Sequence, residues 1–154
     1  MLYDRTVTTM KLEFLGTAPL NPSVVKRPIY EGKILAGQSR FPSAAQGYEL
    51  EDLDLNHRYI TNPPATFFFR VAGDSMINAG ILPGATLIVD RSIKPRSSSI
   101  VVAVVDGEMM VKKLYKRGET IKLLSENPAY APIEFKEGQE LIIWGVVKAV
   151  INEL

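Results

Sequence analysis

The chain has 154 residues, of which 46% are hydrophobic and 23% are charged, and its formal net charge is +1. This length and composition are typical of one globular domain with a core of its own. The small net charge excludes a chain-wide electrostatic attraction to nucleic acid or to an anionic membrane. The absence of cysteine excludes disulfides, thiolate metal sites and thiol catalysis.

Targeting and membrane signals are missing from the sequence. No segment approaches the roughly 20 consecutive apolar residues that a membrane-spanning helix needs. Residues 1–20 carry scattered charged side chains and have no apolar stretch of the kind found in secretory signals. We therefore expect a cytoplasmic protein that does not enter a membrane.

Residues 1–65 contain most of the ten prolines, and their apolar residues show little sustained period. Proline removes a backbone donor and restricts its neighbours, so this composition favours extended connections over a compact helical unit. The first part of the chain is therefore predicted to be an extended N-terminal arm. An acidic stretch at residues 49–55 predicts a short helix or a turn with a solvated face.

From residue 66 the pattern changes to short apolar runs that are rich in Val, Ile, Phe and Tyr and are separated by turn residues. The predicted strands cover residues 66–71, 86–89, 100–105, 108–115, 120–124, 133–135 and 141–151. The Asp106-Gly107 pair between two of them is a hairpin signal, because glycine adopts a positive φ at little cost. The spacing predicts a mainly β, partly closed antiparallel fold.

A candidate nucleophile, Ser75, lies just after the first of these strands. A nucleophilic serine needs a hydroxyl on a sharp turn, close to backbone N–H groups that stabilise an oxyanion. Gly73 allows a tight backbone approach at this point, Asp74 can stabilise the turn, and Met76 can line an adjacent apolar pocket. These three residues are the candidates for the substrate pocket and the oxyanion site. Serine in such a setting is also a common turn or helix-capping residue, so the motif alone leaves both interpretations open.

The candidate base is a lysine, because the chain has no cysteine and only one histidine, His57. Lys112 and Lys113 lie in an apolar run, and in an alternating strand their side chains face opposite sides, so that one of them can point inward. Burial among apolar groups lowers the pKa of an ammonium group, and the neutral amine can then accept a serine proton. Both lysines can equally serve as solubilising charges on an edge strand.

Seven short motifs, taken in order, resemble those of the LexA/UmuD family of self-cleaving serine peptidases. They are Gly-Asp-Ser-Met (73–76), Ile-Leu-Pro-Gly (81–84), Leu-Ile-Val-Asp (87–90), Asp-Gly-Glu (106–108), Val-Lys-Lys-Leu (111–114), Leu-Leu-Ser-Glu-Asn-Pro-Ala-Tyr (123–130) and Trp-Gly-Val-Val (144–147). The resemblance spans residues 41–151. It implies a LexA/UmuD-like β domain in which Ser75 is the nucleophile and Lys112 is the general base.

The resemblance also implies that the protein cuts its own arm between a small residue and a glycine. Ala36 and Gly37 stand in the corresponding relation to residues 41–45. A small side chain before the bond fits a shallow pocket, and glycine lets the backbone bend into a tight site, although an Ala-Gly pair also occurs in ordinary loops. The expected organisation is an arm with the cleavage site, residues 1–40, and a β-rich Ser-Lys peptidase and dimerisation domain, residues 41–154.

The UmuD branch of the family fits the short arm best. It implies a homodimer, a RecA–single-stranded-DNA filament that promotes cleavage, and a UmuC-type translesion DNA polymerase, all within the SOS response to DNA damage. The 36 residues before the expected cut are fewer than the roughly 60 that a DNA-binding module with its own core needs. We therefore expect no direct sequence-specific DNA binding. We expect no cofactor, and no metal either, because Asp90 and Asp106 lack the clustering of a metal site.

Two other functions remain open on the sequence. A non-catalytic dimeric module that assists or regulates a translesion polymerase would use the same β scaffold, with Ser75 and Lys112 as vestiges. A signal-peptidase-like enzyme would share the Ser-Lys chemistry, but the missing membrane anchor argues against it. Of the remaining residues, His57 is expected at the surface or as a cap, and Trp144 in the core or at a dimer contact.

Overall fold

The structure is a computed structural model that describes residues 12–30, 49–135 and 138–154. Their elements are the strands β1 (Leu12–Thr17), β2 (Lys26–Tyr30), β3 (Glu49–Asp54), β4 (Thr66–Val71), β5 (Thr86–Asp90), β6 (Ile100–Val105), β7 (Glu108–Arg117), β8 (Thr120–Leu124), β9 (Ile133–Glu134) and β10 (Leu141–Ile151), the helix α1 (Leu55–Tyr59), and two 3-10 helices (Pro63–Ala65 and Ile77–Ala79). The chain divides into two compact units, Met1–Leu20 with Asn62–Leu154, and Asn21–Thr61.

The larger unit is built on one antiparallel sheet in the order β1-β4-β5-β10-β6-β7-β8-β9. Strands β4, β6, β8 and β10 have the predicted bounds, and β5, β7 and β9 differ from them by at most two residues. Strand β1 also contacts β7, so the sheet curls toward closure. The prediction of a mainly β, antiparallel fold is confirmed.

The central strands of this sheet are covered on both faces. Val102 and Val111 belong to one buried cluster together with Phe69, whereas Val101 and Met110 belong to a second one. Because both faces of β6 are buried, its sequence is an unbroken apolar run rather than an alternation of apolar and polar residues.

A tight turn joins β6 to β7. Asp106 and Gly107 have φ values of +49° and +84°, the pair of left-handed conformations that a two-residue hairpin of this kind requires. The hairpin predicted from this dipeptide is confirmed. Its register places Val101 opposite Lys112 and Ile100 opposite Lys113.

The smaller unit contains an antiparallel pair, β2 and β3, followed by α1. The Asp54 carboxylate caps α1 by accepting the His57 N–H at 3.1 Å, and it also accepts the Val25 N–H at 2.8 Å. These backbone donors hold the pKa of Asp54 below its ordinary value. Our expectation of a helix or turn at residues 49–55 was wrong for residues 49–54, because their backbone pairs with β2 and the helix begins only after Asp54. His57 is exposed, as expected.

Residues 12–17, which we had assigned to the extended arm, form an edge strand of the large sheet. They pair with β4, with Leu12 opposite Val71 and Phe14 opposite Phe69, and the register shifts between Phe14 and Gly16. Apart from Leu12, the side chains of this strand are largely exposed, that of Phe14 included, which is why the sequence shows no alternation there. The expected boundary between residues 40 and 41 lies outside the described residues.

Candidate active site

Ser75 lies in the turn that follows β4, and it is 0% exposed. Gly73 has a φ of +94°, a conformation that would strain any other residue, and it turns the chain sharply at the end of the strand. The Asp74 carbonyl accepts the Ile77 N–H at 3.2 Å, and this closes the turn. The Met76 side chain is buried in the same cluster as Phe69, so the turn is anchored in the core.

Strand β7 brings Lys112 to this serine. The Lys112 Nζ donates a hydrogen bond to the Ser75 Oγ at 2.9 Å across a sequence separation of 37 residues. Lys112 is only 5% exposed, and the alternation of β7 puts it on the same face as Met110 and Leu114. The two residue types that the sequence singled out therefore meet at hydrogen-bonding distance in a buried site.

The neighbouring lysine has a different environment. The Lys113 Nζ forms an ion pair with Glu126 at 2.7 Å, and its side chain is 34% exposed. Its side chain and that of Lys112 lie on opposite faces of β7, as expected of adjacent strand residues. Of the two lysines, Lys112 alone donates to Ser75 in the structure.

Burial lowers the pKa of Lys112 to about 8 from its ordinary value of 10.5. The cause is desolvation, which disfavours the charged ammonium group. Two neighbours interact with that charge: the Ser125 Oγ accepts a second hydrogen bond from Nζ at 2.8 Å, and the ring of Tyr130 lies 5.5 Å from Nζ. An amine with this pKa is present in both protonation states near neutral pH, as a general base must be.

Residues 125–130 are fastened to the turn that carries Ser75. The Asn127 side chain donates to the Asp74 carbonyl at 3.0 Å, and the Tyr130 hydroxyl donates to the Asp74 carboxylate. The hydrogen bond with Asp74 raises the pKa of Tyr130, which keeps the phenol neutral. In addition, the Asn78 N–H donates to the Glu126 carbonyl at 2.8 Å. These contacts set the position of Ser125 relative to the turn.

No role could be assigned to Ser125, Asn127 or Tyr130 from the sequence. All three lie in the motif at residues 123–130, which the sequence offered only as part of the family resemblance. The Asp74 carboxylate contacts Tyr130, and its expected role in stabilising the turn stays a prediction. The expected cleavage residues Ala36 and Gly37 lie outside the described residues.

Trp144 was expected in the core or at a dimer contact. Trp144 is half-buried, packs edge-on against Phe67 and Phe69, and lies under the Arg91 guanidinium at 4.5 Å.

Within residues 12–30, 49–135 and 138–154, no cluster of three or more His, Asp or Glu side chains could hold a metal ion. No helix in that part of the chain has the length and apolar character that a bilayer crossing requires.

Comparison with known proteins gives consistent matches. Residues 28–148 match the family model described as Peptidase S24-like. Protein ImpA of Salmonella typhimurium is 41% identical over 132 residues, which cover 82% of this chain and 83% of ImpA. Protein SamA of the same species is 44% identical over 126 residues, covering 82% and 85%. LexA repressor 2 of Pseudomonas putida is 33% identical over 130 residues, covering 81% and 59%.

Proposed function

The chain belongs to the Peptidase S24-like family as a UmuD-like member of the LexA/UmuD group, and on this premise we propose that it is a Ser-Lys peptidase that cleaves itself between Ala36 and Gly37. Ser75 is the nucleophile and Lys112 is its general base. The proposal rests chiefly on the 2.9 Å contact between the Lys112 Nζ and the Ser75 Oγ in a buried site.

The chemistry begins with the neutral amine. The Lys112 Nζ takes the proton of the Ser75 hydroxyl while Oγ bonds to the carbonyl carbon of Ala36. The backbone N–H groups of the turn at residues 73–76 are our candidates for stabilising the oxyanion. The bond between Ala36 and Gly37 then breaks, and the Lys112 ammonium returns its proton to the departing Gly37 amine. Water, deprotonated by the same lysine, hydrolyses the ester and restores the Ser75 hydroxyl.

Ser125 has a positioning role in this scheme. A neutral amine has one lone pair, which must point at the Ser75 hydroxyl proton for transfer to occur. An N–H of Lys112 that donates to the Ser125 Oγ, at the observed 2.8 Å, leaves the position toward Ser75 to the lone pair or to the second N–H. Ser125 thereby disfavours the amine rotamer in which the lone pair points at Ser125 and is lost to the reaction.

Replacing Ser125 by Ala is expected to slow cleavage about tenfold at the alkaline plateau, since a hydrogen bond worth about 1.4 kcal/mol is lost. The apparent pKa of the rate profile should fall at the same time, because the Ser125 oxygen stabilises the ammonium form. Ser125→Thr keeps the hydroxyl and should stay close to the parent. The measurement is the cleavage rate as a function of pH for the three proteins. An unchanged rate and an unchanged midpoint in Ser125→Ala would remove Ser125 from the mechanism.

The biological setting follows from the family resemblance. We propose a role in SOS mutagenesis, in which the product of residues 37–154 serves error-prone translesion DNA synthesis in the cytoplasm. The proposed partners are a second copy of the chain, a RecA–single-stranded-DNA filament and a UmuC-type polymerase. The same proposal divides the chain into an arm, residues 1–40, and a peptidase and dimerisation domain, residues 41–154.

A non-catalytic accessory to a translesion polymerase is the second candidate function. The complete burial of Ser75 favours it, because an occluded hydroxyl does not meet a substrate carbonyl without a change in conformation. The two candidates differ in one readout, which is whether the purified chain cuts itself.

The decisive experiment incubates the purified full-length protein at about pH 9 and measures fragment masses. We expect two products, residues 1–36 and 37–154, and no cleavage in Ser75→Ala. Ser97→Ala is the matched control, since the Ser97 Oγ accepts the Lys116 backbone N–H at 3.1 Å and lies outside the site. An intact parent chain would support the accessory function, and cleavage that persists in Ser75→Ala would exclude Ser75 as nucleophile.

A further inference from the structure

The edge of β4 is covered by a strand from the other side of the proposed cut. Strand β1 precedes the bond between Ala36 and Gly37, whereas β4 follows it, and the two pair antiparallel over residues 12–17. Residues 12–20 belong to the same compact unit as the candidate active site. Cutting the chain at residue 36 therefore breaks one covalent bond and none of the hydrogen bonds of this strand pairing.

Side chains reinforce the pairing of β1 with β4. Leu12 packs against the buried core cluster. The Phe14 ring meets that of Phe69 edge-on at 5.7 Å between centroids and lies 6.3 Å from that of Phe67. Beyond the strand, Ala18 is buried and its N–H donates to the Thr66 carbonyl at 3.2 Å. The ends and the middle of β1 are thus all attached to the larger unit.

A second set of contacts spans the same cut in the smaller unit. Strand β2 precedes the proposed bond and pairs with β3, which follows it. Just before β2, the Val25 N–H donates to the Asp54 carboxylate at 2.8 Å, and the Ser23 carbonyl accepts from the Asn56 side chain at 2.7 Å. The peptide that cleavage would excise therefore contacts the rest of the chain at two separate places, through the pairing of β1 with β4 and through that of β2 with β3.

We propose that the excised arm, residues 1–36, remains bound to the product as a non-covalent strand on the edge of β4. Two linked attachments raise each other's effective concentration, so that the pair dissociates far more slowly than either strand would alone. The bare edge of β4 would otherwise present unpaired backbone groups beside Phe67 and Phe69, a surface that favours aggregation. This inference extends the proposed function, since it concerns the fate of the fragment that self-cleavage makes.

The test separates retention from self-cleavage. In a Ser75→Ala protein, a recognition sequence for a site-specific protease is introduced around residues 36 and 37, and the folded full-length protein is cut by that protease. The products are then analysed by size exclusion at about 10 μM and by mass spectrometry. We expect both fragments in one peak that separates only in denaturant. Separation of the fragments under native conditions would overturn the proposal, whether or not the parent cleaves itself.

Substitutions in β1 test whether this strand attaches the arm to the larger unit. Leu12→Asp combined with Phe14→Asp should speed dissociation of the arm at least tenfold, whereas Leu20→Asp, at an exposed position beyond β1, should leave it unchanged. Hydrogen exchange gives a readout that does not depend on these variants: the β4 amides that point toward β1, rather than toward β5, should stay protected after the cut. Fast exchange at β4, or retention that survives the double substitution unchanged, would overturn the role of β1.

Discussion

Replacing Lys112 by Met is expected to reduce self-cleavage at neutral pH by about a thousandfold or more, which is the range lost when a general base is removed. Methionine keeps the length and apolar stem of the side chain, so it fills the same space beside Met110 and Leu114. The amine that contacts the Ser75 Oγ at 2.9 Å is the part removed. The rate is measured as the appearance of residues 37–154 by mass spectrometry.

Lys113→Met is the matched control for this experiment. It changes the adjacent residue in the same way, but it removes only an ion pair with Glu126 in which both side chains are about one-third exposed. Such pairs contribute about 1 kcal/mol or less, so cleavage should proceed close to the parent rate. Equal losses in both variants would point to general disruption of β7, and a fully active Lys112→Met protein would exclude Lys112 as the base.

Cleavage is expected to accelerate with pH by about two orders of magnitude between pH 6 and pH 9. With a pKa of about 8, the neutral fraction of Lys112 rises from about 1% to about 90% over that range. Tyr130 should not distort the profile, because its hydrogen bond to Asp74 raises the pKa of the phenol above its ordinary value. Rates of fragment formation in a series of buffers at constant ionic strength give the curve. A flat curve from neutral to alkaline pH would contradict a lysine base.

The same titration affects stability, and the sign follows from the lowered pKa. Below pH 8 Lys112 is charged in both the folded and unfolded states, and its burial then costs up to about 3 kcal/mol. Between pH 8 and 10.5 the unfolded state binds more protons, so the free energy of unfolding rises with pH. In a non-cleaving Ser75→Ala background, adding Lys112→Met should therefore stabilise the protein at pH 7, with a gain that shrinks toward pH 10.5. Urea unfolding measures this difference.

Strands from residue 66 onward were predictable because each carries a local signal. Their apolar runs are bounded by turn residues, and Asp106-Gly107 encodes its hairpin within two positions. Strands β1, β2 and β3 were not predictable on the same grounds. Each is interrupted by proline or by charged residues, and β1 acquires its structure by pairing with β4, far along the chain.

The candidate site was predictable in part. Residue inventory left lysine as the available base, and strand alternation implied that one of two lysines faces inward. Nothing local distinguished Lys112 from Lys113, since that choice depends on the register with which β7 lies against its neighbours. The role of Ser125 was not predictable for a similar reason: no local pattern in the motif at residues 123–130 indicates that its hydroxyl lies 2.8 Å from the Lys112 amine on β7.

The turn between β6 and β7 therefore governs more than the path of the chain. Its two residues determine that Val101 lies across from Lys112 and Ile100 from Lys113. Because side chains alternate with a period of two, a slip of one position would send every β7 side chain to the reverse side of the sheet. The Lys112 amine would then point away from the Ser75 hydroxyl, and the Lys113 side chain would point toward it. The length of the turn at residues 106 and 107 therefore affects which lysine of β7 points toward the Ser75 hydroxyl.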